Sequence, residues 1–125
     1  MSNNRSRPTS PHLGIYKPQI TSVLSALHRI SGIATFGAMI LMTWWFIFVV
    51  FSGFSPFLMS LFEYTIFRLA LFLSSIAFFF HLVTGVRHLL FDIGIGFSIE
   101  SINFSGKVAI ALFVLISIIF WLFIV

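Results

Sequence analysis

The chain contains no cysteine, and only 8% of its 125 residues are charged. Without a thiol it can hold no disulfide, no thiolate-bound iron–sulfur cluster and no covalently attached heme, so any such centre must sit on another polypeptide. Charge is also missing in blocks: there is none between Arg29 and Glu63, none between Arg68 and Arg87, and none after Lys107. The formal net charge is +4. No basic patch with interleaved aromatics accompanies it, so nothing argues for a nucleic-acid partner, and the charge bears on orientation instead.

What is present is apolar. Hydrophobic residues make up 59% of the chain, 18 of them phenylalanine, and the mean hydropathy of +1.11 is far above that of a water-soluble domain. A helix needs about 20 residues to cross a ~30 Å hydrocarbon core. The charge gaps predict three such helices, at 22–51, 62–90 and 108–125. The expected fold is all-α: one domain, residues 1–125, forming a membrane-embedded bundle of three transmembrane helices. Residues 1–21, with Pro8, Pro11 and Pro18, read as an extended segment outside the bilayer, either a loose tail or a strap laid on a partner. Neither a secretory signal nor a convincing mitochondrial transit peptide is visible at the start. Trp44 and Trp45 fall where interfacial aromatics sit, and Ser52-Gly-Phe-Ser-Pro56 supplies turn chemistry without a basic residue. Arg5, Arg7 and Lys17 precede the first helix, and Arg87 and Lys107 flank the second loop. The positive-inside rule therefore predicts a cytoplasmic amino terminus and a periplasmic carboxyl terminus. The third span, with Ser117 as its noted polar residue, reads as packing and lipid-facing helix.

Ionisable side chains inside hydrocarbon are costly enough to be candidate functional groups by default. His81 is such a residue, followed by Arg87, His88 and Asp92. Seven residues make nearly two helical turns, so His81 and His88 share a face with Thr84 and Gly85, and Arg87 points elsewhere. Gly85 leaves room for something flat against the backbone. Three readings fit this spacing: an axial ligand to heme iron, a histidine hydrogen-bonded to a neighbouring helix, and a proton relay. A six-coordinate heme would need a second ligand, and His28 and His88 are expected nearer the surface than His81, so a partner would supply it. On the first helix Ser25, His28, Arg29 and Gly32 fall at i, i+3, i+4 and i+7. That stripe could bind a carbonyl ligand or heme propionates, or simply anchor the helix at the interface.

Three stretches carry a resemblance: Arg7-Pro-x-Ser-Pro-His-Leu-x-Ile-Tyr-Lys17, Ile20-Thr-Ser-Val-Leu-Ser-x-Leu-His-Arg-Ile-Ser-Gly32 and His81-x-x-x-Gly-x-Arg-His-Leu-x-x-Asp92. In this order and spacing the chain resembles the cytochrome b membrane-anchor subunits of succinate dehydrogenase, respiratory complex II. The resemblance implies heme b shared with a second small anchor subunit, with His81 as axial ligand to its iron. It implies that Ser25 and Arg29 bind ubiquinone and that His28 lies near the heme propionates. It places Asp92 more weakly near the quinone, and His88 only close by. The implied partners are that second anchor subunit, an iron–sulfur subunit, a flavoprotein subunit and membrane lipid, in a bacterial inner (plasma) membrane. The chain alone would be no complete enzyme. Anchors of quinol:fumarate reductases share the architecture, and a heme-free structural anchor is the remaining alternative.

Overall fold

The computed structural model describes residue 12, residues 14–53 and residues 55–124. Most of the expected extended segment, including Arg5, Arg7, Pro8 and Pro11, lies outside the described residues. Of the part that is described, the amides of Ile15 and Tyr16 both donate to the His12 carbonyl at 3.1 Å. The Tyr16 hydroxyl donates to Ser22 Oγ at 2.8 Å, pinning this turn to the start of the first helix.

Four helices follow: α1 (Ile20–Ser52), a short α2 (Pro56–Ser60) leading into a 3₁₀ turn (Leu61–Glu63), α3 (Thr65–Asp92) and α4 (Ile99–Ile124). Among the described residues there is no strand, and α1, α3 and α4 are each long and apolar enough to cross a membrane. At ~1.5 Å per residue α1 is about 50 Å long, so it exceeds the hydrocarbon thickness and must tilt or protrude. His28 meets Thr84 while the later Thr35, Met39 and Phe78 line one cleft, so α1 and α3 run antiparallel. Arg87 meets Ser105 and Phe79 meets Phe120, so α3 and α4 are antiparallel too. The start of α4 then lies beside the start of α1, where a Cβ on the buried Gly106 would come within 3.1 Å of Ile20 and 3.3 Å of Leu24.

The helix ends differ from the lengths that the charge gaps suggest, because a charge gap measures hydrocarbon while a helix ends where its backbone is capped. α4 begins at Ile99, well before Val108. Ser98 caps it by accepting the Ser101 amide at 3.2 Å, and Glu100 sits in the first turn, where the helix dipole favours an acid. Lys107 is therefore an exposed residue within the helix and not the far edge of a loop. α3 ends in a Schellman arrangement: Gly94, at φ 84°, donates to the Phe91 carbonyl at 2.8 Å, and Ile95 reaches back to Leu90 at 3.0 Å. At the other end, α3 starts only at Thr65, which leaves Glu63 in the 3₁₀ turn outside it.

Ser98→Ala removes the cap and is expected to destabilise the first turn of α4 by about 1 kcal/mol. Hydrogen exchange at the Ser101 amide should accelerate accordingly; unchanged exchange there would mean the serine does not cap.

Candidate functional site at the α1–α3 interface

The site sits at the end of the bundle formed by the start of α1, the end of α3 and the start of α4. His81 lies against α1, its Nδ1 donating to the His28 carbonyl oxygen at 3.0 Å, with Ser31 Oγ 3.4 Å away. A carbonyl can only accept, so this bond places the proton on Nδ1 and leaves the Nε2 lone pair of a neutral imidazole free. Ser31 Oγ donates to the same carbonyl at 2.9 Å, which keeps that buried hydroxyl satisfied. The histidine bonded to a neighbouring helix and the histidine available as a ligand are thus one arrangement, with one ring nitrogen for each role.

His28, one of the two histidines expected nearer the surface, packs directly on His81 from the side of the Thr84 turn of α3. Its ring stacks on that of His81 with centroids 4.0 Å apart and planes 7° from parallel. A face-to-face stack this close leaves no space for an iron between the two rings, so they cannot be the two axial ligands of one heme. His28 Nδ1 lies 2.8 Å from the hydroxyl of Thr84, which is only 2% exposed. His88 completes the row, its ring 4.8 Å from that of His28 and tilted by 48°. Glycines make this packing possible. A Cβ on Gly32 would lie 2.9 Å from His81 Cε1, and one on Gly85 would lie 3.5 Å from His28 Cε1. The flat group that Gly85 admits is therefore the His28 ring of the same chain.

Arg87 does point away from this row, but it is not a surface residue: it is 5% exposed. It is held by α4, with Nε donating to Ser105 Oγ at 3.1 Å and Nη2 to the Ile102 carbonyl at 3.2 Å, and its guanidinium lies 4.5 Å above the Phe91 ring. Ser25 is half-buried and Arg29 is exposed, forming no ion pair among the described residues. In the first half of α1 the buried positions are Leu24, Ser31 and Thr35, so Arg29 sits on the flank of the helix away from the His28–His81 contact. Asp92 is exposed at the end of α3. The structure thus brings His28, His81 and His88 together and leaves Ser25 and Arg29 on an adjoining surface. Helical spacing places Thr84 on the shared face and Gly32 in the stripe of the first helix, but it gives neither a partner; Ser31 and the close approach of His81 to Gly32 have no signal in the sequence reading.

Beside His81 lies a cleft of about 320 Å³ lined by Gly32, Thr35, Phe36, Met39, Phe78 and Leu82. A larger groove of about 710 Å³ occupies the other half of the bundle between α1, α3 and α4. Its lining is almost wholly apolar, and Trp121 turns its indole N–H to Ser75 Oγ at 3.0 Å. Among the described residues no group of three or more His, Asp or Glu side chains could hold a metal ion by itself.

Fold and site define a small polytopic membrane protein with an imidazole row, built largely between two helices, at one end of its bundle. The chain belongs to the succinate dehydrogenase/fumarate reductase transmembrane subunit family, whose model matches residues 3–120. It is 47% identical over 115 residues to the succinate dehydrogenase cytochrome b556 subunit of Rickettsia bellii, covering 92% of this chain and 90% of that protein. The cytochrome b556 subunit of Paracoccus denitrificans is 33% identical over 129 residues, covering 97% of each chain. The cytochrome b560 subunit of Reclinomonas americana is 34% identical over 129 residues, covering 95% of this chain and 87% of that one. Membership bears out the resemblance drawn from the three sequence stretches.

Gly32→Ala tests the ring approach. Alanine gains up to ~1 kcal/mol of helix propensity, but its methyl would overlap an imidazole wedged between helices, an overpacking of roughly 1–3 kcal/mol. The second effect should win, giving a lower unfolding temperature and a displaced His81 ring resonance; a stabilised protein with an unmoved ring would contradict the contact.

Proposed function

We propose that this chain is the heme b-carrying anchor of a bacterial succinate dehydrogenase, helping to form the site where ubiquinone is reduced. The observation that carries the reading is the division of labour on His81: Nδ1 is held by the His28 carbonyl, which leaves Nε2 over on a residue that lines the cleft. Metal-ligating histidines characteristically donate their other N–H to a carbonyl or carboxylate, which fixes the tautomer and raises ligand basicity. The residues present therefore fit a heme with His81 as axial ligand. When bound, the heme would supply a one-electron redox centre. A second small anchor subunit would provide the opposite ligand, because the stacked His28 cannot. His28 is the chain's candidate for the propionate region.

Ser25 and Arg29 would bind the quinone. Arg29 keeps its guanidinium exposed, and a donor hydroxyl four residues earlier lies on the same flank, so the two can hold a quinone carbonyl and the negative charge that develops on it. Iron–sulfur and flavoprotein subunits would dock on the cytoplasmic side, where the amino terminus and the α3–α4 loop would lie, and the carboxyl terminus would be periplasmic. The family covers both succinate dehydrogenases and fumarate reductases, and the relatives named above are succinate dehydrogenase subunits, which favours succinate oxidation.

His81→Tyr is expected to abolish the low-spin b-type signal in a reduced-minus-oxidised spectrum of the membrane complex; a normal signal would sink the ligand assignment. Arg29→Leu should lower quinone reduction by roughly a hundredfold, as loss of a donor to a developing anion does, with Ser25→Ala acting in the same direction. Succinate oxidation by an artificial acceptor should persist in both, whereas equal loss of the two activities would point to failed assembly.

A further inference from the structure

Thr84 is the most deeply buried side chain of the site, and the proposed function gives it no role. Its hydroxyl lies 2.7 Å from the Phe80 carbonyl, 3.4 Å from the His81 carbonyl and 2.8 Å from His28 Nδ1. A hydroxyl has one proton to give and two lone pairs to receive with. The Phe80 carbonyl cannot donate, so the short contact to it takes the proton, and the hydroxyl must then accept from His28 Nδ1–H. We infer that Thr84 is a positioning residue: its hydroxyl locks His28 in the Nδ1–H form, leaves His28 Nε2 as an acceptor, and holds the His28 ring flat against His81.

The chain of contacts closes on itself. Thr84 on α3 fixes the His28 ring, and the His28 carbonyl on α1 fixes the His81 ring one turn before Thr84. Each helix thus sets the tautomer of a histidine on the other. Loss of the Thr84 hydroxyl leaves a part-buried N–H facing a methyl group, and the ring can recover a hydrogen bond only by changing tautomer or rotating. Rotation would break the 7° stack and relax the plane in which His81 is held. In its bearing on heme this inference rests on the proposed function; in its bearing on His28 it does not.

The test uses the intact membrane complex with ¹⁵N-labelled histidine, reduced with dithionite, and the His28 resonances identified by their loss in His28→Gln. In the wild type, solid-state NMR should show His28 protonated at Nδ1 and unprotonated at Nε2. Thr84→Ser should keep that pattern, while Thr84→Val, which preserves shape but not the hydroxyl, should lose it and shift the electron paramagnetic resonance g values of the oxidised low-spin heme. An Nε2–H form of His28 in the wild type would overturn the inference without any variant. So would a Thr84→Val complex with unchanged tautomer and g values, or a Thr84→Ser complex behaving like Thr84→Val. Absence of a b-type signal in the wild-type complex would sink the heme reading instead, leaving the His28 tautomer to decide the role of Thr84.

Discussion

A polar group carried into hydrocarbon has no water to bond and must find its partner inside the bundle. The bond from His81 Nδ1 to the His28 carbonyl meets that requirement across two helices, and the rest of the site is arranged around it. It fixes the relative height of α1 and α3, brings the two rings into contact, and decides which nitrogen of His81 is left for chemistry. Gly32 allows the ring to come that close, and Ser31, which gives its own proton to the same carbonyl, offers its oxygen as a second, longer acceptor for the imidazole N–H at 3.4 Å.

The same economy holds α3 to α4. At one end Arg87 bridges to Ser105 and the Ile102 carbonyl, and at the other Trp121 bonds Ser75, whose hydroxyl in turn donates to the Phe72 carbonyl at 2.7 Å. Between these two clasps the contact is aromatic, with Phe80 on Phe113 and Phe79 on Phe120 meeting edge to face. Polar contacts at the ends set the register, and rings fill the middle by dispersion. Little of the bundle is buried, and phenylalanines such as Phe46, Phe51 and Phe123 present their rings outward, as lipid-facing side chains do.

The three spans were legible in the sequence because gaps between charges report hydrocarbon thickness directly. The helix ends were not, although Ser98 before Ser101 and Gly94 after Asp92 are ordinary capping signals: a lysine such as Lys107 marks where hydrocarbon ends, whereas the cap at Ser98 sets where the helix begins. The shared face of His81, Thr84 and His88 followed from helical spacing alone. The stacking of His28 on His81 could not, since it depends on the register between two helices, which no pattern within either one encodes. Arg87 was expected beside a cytoplasmic loop because arginine usually reaches water, and its burial depends on acceptors that α4 offers only because it starts early. The role of Thr84 is hidden for a similar reason: a threonine in an apolar helix usually bonds its own backbone, and here it does that and accepts a histidine as well.

The central claim is that His81 divides its two nitrogens between α1 and a heme iron. A high-resolution density map of the assembled membrane complex tests it most directly. The account predicts iron bonded to His81 Nε2, with Nδ1 still on the His28 carbonyl and the opposite ligand from another subunit. Iron bonded to His28 or His88, or to no histidine of this chain, would contradict it.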